Sequence, residues 1–600
     1  MNELRSLLPF LKPYRAAFAA GLLLVVVSNA FQVAAPMLVG MAVDGLGRPD
    51  VTHGVILGHA GLVVLAALCG GATRFGMRQI LNGVSRRVET DLRDAFFDHL
   101  LRMDASFYQR HRTGDLMSRA TNDTQAVRMA AGPAIMYLVN TVVLTAFAVV
   151  LMVRISPSLT AATIAPLLLL PPVVLGFGKV IHRRFERIQD QFGVMSTLVQ
   201  ENLAGVRIVR AYRQEGVQAR EFEELNREYH DRNMALARTS GVFHPALTLL
   251  AGAGMVVLVW YGGSQLVAGA ISVGDFVAFA FLLGMLTWPM IALGWVINLF
   301  QQGAASMGRL NRILSEPAAI TNPPDAVVPR EIRGEIEFDD VWFRYPGSDR
   351  DVLRGVSFRI RPGQTVALVG PTGSGKSTIV ALLARLYDPT AGRVMVDGVP
   401  VNRYDLGALR RAMGIVPQEA FVFSETIEEN VALGVTDPDV REQAVLRAAE
   451  VARLDEAVAE FPQGYQTLLG ERGVNLSGGQ RQRATLARAL ARDPRILVLD
   501  DALSAVDTRT ESEILTGLDR ELRGRTALII SHRLTAIMRA DMVLVLNEGR
   551  IVERGTHADL LARNGLYASL LRRQLLEEEM SDEGATSTRA ARLATGTDPA

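Results

Sequence analysis

Uncharged apolar stretches fill the first half of the chain, over residues 16–43, 55–73, 129–153, 155–178, 239–274 and 276–308. Each reaches or approaches the ~20 residues that a helix needs to cross hydrocarbon, so six membrane helices are predicted. Between the second and third stretches, and between the fourth and fifth, apolar positions keep a helical spacing. The membrane helices are therefore expected to run on below the bilayer and turn back at short connectors, one within 104–115 and one within 203–212. The first dozen residues set Leu4, Leu7, Leu8, Phe10 and Leu11 among Arg5 and Lys12, which fits a short interfacial helix or an ordinary polar lead-in. Pro36, Pro133, Pro166, Pro171, Pro172 and Pro289 fall in or at the ends of the spans, where membrane helices tolerate kinks. Further on, Pro317, Pro323, Pro324 and Pro329 break the pattern and mark a linker over 316–330. The expected division is a membrane domain over 1–315, that linker, and an α/β domain over 331–575, where strands and helices alternate. Residues 576–600 run on in Glu, Ser, Thr, Ala, Gly and Asp and are expected to be disordered.

Composition agrees with a membrane protein: 49% of residues are hydrophobic and the mean hydropathy is +0.20. The net charge of +1 gives no reason to expect a nucleic-acid partner, but the distribution of charge is informative. The two long segments between spans hold ten and eleven basic residues, whereas the short loops on the other side hold only Arg48 and Arg154. By the positive-inside tendency both long segments, the N-terminus and everything after the sixth span are cytoplasmic. The first span is too long for a secretory signal core and has no small-residue cleavage site before its polar end, so it is expected to remain as a membrane helix. One cysteine, Cys69, excludes an internal disulfide and a cysteine-based metal site.

The chemistry lies in the second half. Gly370-Pro371-Thr372-Gly373-Ser374-Gly375-Lys376-Ser377-Thr378 fits GxxxxGK(S/T), whose glycines let backbone N–H groups close around phosphates. In that pattern the Lys reaches the outer phosphates and the hydroxyl of Ser377 holds Mg²⁺, so ATP and Mg²⁺ are the expected cofactors. The strand expected over 365–369 and the helix expected over 379–386 place the loop at a helix N-terminus, which favours an anion. Only three of the 63 basic residues are Lys, at 12, 179 and 376. A planar guanidinium does not fit a closed phosphate loop and a compact ammonium does, so Lys stands at 376 in a chain that otherwise writes Arg. About a hundred residues later come Leu476-Ser477-Gly478-Gly479-Gln480, then the apolar strand 496–499 ending in Asp500-Asp501. A carboxylate at the end of a buried strand is costly unless it serves a cation.

With these motifs assembled, the chain resembles a half-transporter of the ATP-binding cassette (ABC) exporter family, multidrug or lipid type. The resemblance implies an α-helical membrane domain of six transmembrane helices, the type I exporter or type IV fold, followed by an α/β P-loop nucleotide-binding domain. Leu476 to Gln480 is similar to the LSGGQ signature. Carried over position by position, Tyr345 matches the aromatic that stacks on adenine, and Gln418 the loop glutamine that touches Mg²⁺ and the attacking water. Asp500 matches the carboxylate on the Mg²⁺ shell, and His532 the switch histidine at the γ-phosphate. Residues 504–507 resemble the segment that contacts an opposite cassette. In such proteins two cassettes close head to tail, so Ser477, Gly478, Gly479 and Gln480 serve nucleotide held by a partner chain. A second half-transporter is therefore an expected partner. Residues 110–119 and 201–207 resemble the segments that carry coupling helices.

One position departs from the family pattern. Where a Glu usually activates water, this chain has Asp501, shorter by one methylene, so its own site is expected to bind ATP and hydrolyse it slowly. The family accommodates such a chain as the degenerate-site subunit of a heterodimer. The spans carry Asn29, Gln32, Tyr137, Asn140, Trp288, Trp295, Asn298, Gln301 and Gln302 as neutral polar or aromatic handles. Drugs, lipids or apolar peptides suit such a pathway, with membrane lipids as surroundings. A homodimeric lipid flippase, an ATP-gated channel or regulatory subunit, and an importer built on the same fold share every motif. Arg over Lys with abundant Ala and Val points to a GC-rich bacterium, and hence to its inner membrane.

Overall fold

The computed structural model describes residues 2–47 and 52–576. Arg48 and the tail expected to be disordered, apart from Leu576, lie outside them. The chain forms two compact units: Met1–Leu101 with Thr113–Pro317, and Arg102–Arg112 with Ala318–Ala600.

The first unit contains six helices long and apolar enough to cross a membrane: Glu3–Leu46, His53–Arg102, Thr113–Ile155, Pro157–Ala204, Glu215–Val267 and Val273–Leu314. At ~1.5 Å per residue a fifty-residue helix is ~75 Å long, more than twice the ~30 Å of hydrocarbon, so the helices continue far into water. Prolines interrupt them locally. Pro133 lies in a π-helical turn at Ala130–Ala134, Pro166 precedes the break between Pro157–Leu167 and Leu170–Ala204, and Pro36, Pro245 and Pro289 lie inside continuous helix. The N-terminal residues form short helical turns over Asn2–Tyr14, and Ser6 Oγ and Glu3 Oε2 accept from Asn311 Nδ2 on the sixth helix at 2.8 and 3.2 Å.

Two tight contacts tie the first helix to the sixth. Asp44 Oδ2 accepts from Ser272 Oγ and Asp44 Oδ1 from the Gly274 N–H, both at 2.6 Å, so a carboxylate satisfies helix N-terminal donors that lack intrahelical partners. Gly274 passes so close that a Cβ there would meet Gly40 O at 2.1 Å. Nearer the cytoplasmic end, Arg309 Nε donates to Asp123 Oδ2 at 2.9 Å and its Nη2 to Ser306 Oγ, while Arg119 Nη1 donates to Arg309 O at 3.0 Å. The short connector helix Val206–Ala211 caps the fourth and fifth helices, with Leu203, Ile208 and Tyr212 69%, 66% and 73% exposed.

Among its described residues the second unit contains ten strands: β1 (Ile336–Phe343), β2 (Leu353–Ile360), β3 (Thr365–Val369), β4 (Ala391–Val396), β5 (Val399–Pro400), β6 (Met413–Val416), β7 (Ile496–Asp500), β8 (Thr526–Ile530), β9 (Met542–Asn547) and β10 (Arg550–Gly555). An antiparallel sheet has the order β2-β1-β4-β5, and a six-stranded sheet the order β10-β9-β3-β8-β7-β6, parallel from β9 to β6. β7 and β8 are apolar almost throughout and buried along their whole length, as parallel strands covered on both faces must be. Between β6 and β7 the chain makes a helical layer, including Pro438–Val451 and Gly478–Ala491, with its own apolar core.

The first connector belongs to this second unit. Asp104 caps the helix Ala105–Arg110, accepting from the Ser106 and Phe107 N–H groups at 2.9 and 3.3 Å, and its other oxygen accepts from the Ala319 N–H at 2.9 Å. Phe107 is fully buried and stacks on His111 at 4.3 Å, and Gln109 hydrogen-bonds Tyr387.

Because the Gly274 crossing has no room for a methyl group, Gly274→Ala is expected to destabilise the helix pair by about 1–3 kcal/mol. A thermal unfolding series on the purified full chain checks this, and an unchanged midpoint contradicts the crossing.

Candidate nucleotide site

The phosphate loop leaves β3 and enters the helix Lys376–Leu383. Two glycines set its shape. Gly375 has φ 106°, open to glycine and costly for any side chain, and at Gly370 a Cβ would meet Leu546 O at 2.1 Å. Lys376 curls back over the loop, its Nζ donating to the Gly370 and Pro371 carbonyls at 2.8 and 2.9 Å. Burial lowers its pKa, opposed by Asp500 and Asp501. Ser374 Oγ is buried without a hydrogen-bond partner in the protein, a donor available to a phosphate oxygen.

Asp500 closes β7, two strands away from β3 across β8, and is 5% exposed. Burial raises its pKa and Asp501 adds to the rise, while a hydrogen bond from Ser377 and the charges of Lys376 and His532 pull it down. The next residue, Asp501, has φ 50° and donates its N–H to Ile530 O at 2.9 Å. Asp is among the few non-glycine residues that visit this left-handed region readily.

Tyr345, Thr372, Gly373, Gly375, Lys376, Ser377, Thr378, Gln418, Asp500, Asp501 and His532 line one cavity of about 290 Å³. Tyr345 stands there with its hydroxyl 3.1 Å from Thr378 Oγ1 and its ring edge-on to Phe343 and Tyr387 at 4.9 and 5.4 Å. Gly370 and Pro371 line an adjoining cavity of about 510 Å³ with Ser531, His532 and Tyr567.

The signature residues line neither cavity. Ser477 caps the helix Gly478–Ala491 in a capping box: its Oγ accepts from the Gln480 N–H at 3.2 Å and Gln480 Oε1 from the Ser477 N–H at 2.8 Å. The amide of Gln480 is thus used within its own chain, and the exposed Ser477 with the N–H groups of Gly478 and Gly479 forms the helix's outward N-terminal face. Gln482, Glu511 and Arg533 belong to none of these motifs. Gln482 is 5% exposed and Glu511 2%, and both hydrogen-bond chain segments at the site's edge. Gln482 and Glu511 are buried polar side chains on otherwise apolar helix faces, and Arg533 stands out only by its contact with Glu511, none of which is visible without the fold.

Lys376, Ser377 and Asp500 fit Mg²⁺ and a triphosphate: a hard carboxylate and a hydroxyl already hydrogen-bonded to each other, beside an ammonium and an orphaned hydroxyl. Among the described residues no cluster of three His, Cys, Asp or Glu forms a separate metal centre.

Comparison with known proteins agrees with this geometry. Residues 18–290 match the family described as ABC transporter transmembrane region, and residues 353–504 the family described as ABC transporter. A probable multidrug resistance ABC transporter ATP-binding/permease protein of Bacillus subtilis is 39% identical over 96% of this chain and 98% of its own length. An ATP-dependent lipid A-core flippase of Aromatoleum aromaticum is 36% identical over 96% and 97%. The structure of a bacterial Atm1-family ABC exporter with ATP bound superimposes with a TM-score of 0.76 at 30% identity, over 94% of this chain and 99% of that one.

Since burial raises the folded-state pKa of Asp500, its carboxylate destabilises the nucleotide-free domain once pH rises through that pKa, and below the unfolded value the penalty is gone. Asp500→Asn is therefore expected to raise the thermal midpoint at pH 7 without nucleotide, and to abolish the further rise that wild type gains from Mg²⁺ with ATP. A lower midpoint without nucleotide would show that the carboxylate is instead structurally required.

Proposed function

The chain belongs to the ABC exporter family, as a half-transporter with six membrane helices before one ATP-binding domain, and from that membership we propose that it works as one half of a two-chain assembly. It is an ATP-driven multi-pass exporter of the bacterial inner membrane, with its nucleotide-binding domain in the cytoplasm.

The observation that carries the two-chain reading is that this chain provides two separate half-sites. Its phosphate loop lines a cavity that Ser477, Gly478 and Gly479 do not reach, and the exposed Ser477 with the half-buried Gly478 and Gly479 starts a helix with no anion of its own chain to meet. A second cassette facing the first would supply each half with its complement. Leu203, Ile208 and Tyr212 on the second connector add support, since an exposed apolar tip in water favours cover by another chain.

Within the phosphate-loop site, Lys376 would neutralise the outer phosphates, Tyr345 would face the adenine, and Gln418 and His532 would border the γ-phosphate. Mg²⁺ would be held by Ser377, Asp500 and Gln418, and when bound it supplies charge neutralisation to the phosphates. Asp501, which lines the same cavity, would orient water. Its carboxylate stops ~1.5 Å short of where a Glu would reach, and a misplacement of about 1 Å costs on the order of a hundredfold in rate. This site would bind ATP firmly and turn over slowly, while the intact signature completes a faster site on a partner with Glu at the matching position. The assembly is then a heterodimer.

The spans suit hydrophobic or amphipathic cargo. Tyr137 and Trp295 meet edge to face at 5.0 Å, Asn29 Nδ2 donates to Asn140 Oδ1 at 3.1 Å, and Trp288 is 70% exposed. Aromatic surface with neutral polar groups accepts drugs, lipids or apolar peptides without charge desolvation. A homodimer translocating lipid is the second reading, favoured by the flippase relative.

Asp501→Glu is expected to raise turnover at this chain's own site by on the order of a hundredfold. ATPase assays on the purified chain and on its assembly read this out. Ordinary transporter rates from the chain alone, with no gain from Asp501→Glu, would favour the homodimer.

A further inference from the structure

We propose that Arg533 is a positioning residue that links the signature end of this cassette to its own switch histidine, so that one nucleotide site reports its occupancy to the other. The proposal rests on the two-chain reading above.

The link begins at the signature helix. Gln482, one turn beyond the Gly478–Gly479 N–H groups and 5% exposed, grips the segment 504–507 with both ends of its amide: Nε2 donates to Ser504 Oγ and Oε1 accepts from the Ala505 N–H, each at 2.8 Å. At the helix start the approach is as close, since a Cβ on Gly479 would lie 2.9 Å from Ala505 O. A displacement of the signature turn by a bound phosphate therefore carries Ser504 and Ala505 with it.

Arg533 holds the same segment from the other side. Its Nη2 donates to the Ser504 and Val506 carbonyls at 3.0 and 2.9 Å, and its Nη1 to Glu511 Oε2. Glu511 is 2% exposed, and its other oxygen accepts from Thr535 Oγ1 at 2.8 Å. The buried carboxylate fixes the plane of the guanidinium, and the plane aims the remaining N–H groups at the two carbonyls. Arg533 directly follows His532, and its own N–H is held by Ser531 Oγ at 2.9 Å. Residues 504–506 and the backbone that carries His532 are thus joined through one side chain. An ion pair present for stability alone would need only Glu511; the two main-chain carbonyls are the part that transmits position.

The test uses the purified transporter with both chains, in nanodiscs, and reads the Hill coefficient for ATP hydrolysis alongside the affinity for a fluorescent ATP analogue. Arg533→Lys keeps a charge for Glu511 and loses the fork that reaches both carbonyls. Gln482→Met keeps volume and loses the amide, and so tests the link from its other end if the lysine variant folds poorly. Coupling between linked sites runs on the order of 5–150-fold. Both variants are expected to bring it within about twofold of none, with the affinity for the first analogue bound kept within about twofold. Arg533→Lys and Gln482→Met assemblies as cooperative as wild type would overturn the link while leaving the two-chain site standing. A wild-type assembly with a Hill coefficient of one would overturn it too, and whether nucleotide binding then still needs both chains decides the two-chain reading separately.

Discussion

A carboxylate and an ammonium buried within one cluster, Asp500 at the end of β7 and Lys376 two strands across the sheet, set the terms for everything around them. Neither charge is at ease there: burial pushes the Asp500 pKa up and the Lys376 pKa down. The cluster is tolerated because Ser377 and the loop carbonyls engage it, and because β3, β8 and β7, apolar along their lengths, hold its members rigidly. Such a site is destabilised until phosphate and a divalent cation complete it, so a ligand that supplies them stabilises the folded domain.

Each unit is also braced by polar contacts of its own. In the second unit, the connector helix Ala105–Arg110 is anchored by Asp104 to Ala319 and by Gln109 to Tyr387, so a piece of chain from between two membrane helices is part of the cassette's compact unit. In the first, Arg119, Asp123 and Arg309 bind the third long helix to the sixth. These are polar, directional contacts between stiff helices, which hold discrete arrangements better than apolar surfaces that can slide.

Much of this was legible in the sequence because hydrocarbon and phosphate each restrict what a chain can do. Lipid requires long uncharged helices, and six appear where six apolar stretches run. Phosphate requires glycine geometry and a lysine at a strand-to-helix turn, and Gly375 and Lys376 stand at that turn. The illegible parts depend on contacts distant along the chain. Asp44 is one carboxylate near a span end until Ser272 and Gly274 arrive from more than two hundred residues away. Arg533 and Glu511 look like ordinary charges on a chain rich in both, and only the burial of Glu511 and its contact with Arg533 reveal them. Pro245, not among the span prolines named above, sits inside continuous helix, as membrane helices tolerate. The resemblance of 110–119 to a coupling segment pointed to this neighbourhood, but that the unit boundary takes in 102–112 and leaves out Thr113 onward was not legible.

The central claim is that each nucleotide lies between two chains, gripped by Lys376 on one side and by a signature helix like that of Ser477 on the other. A cryo-electron microscopy reconstruction of the transporter purified from its native membrane, trapped with Mg²⁺ and ATP, tests this directly. The account predicts two different chains, with one nucleotide between this chain's Lys376 and the partner's signature, and a second between the partner's phosphate loop and this chain's Ser477. Nucleotide enclosed by a single chain, with Ser477 facing solvent, would contradict it.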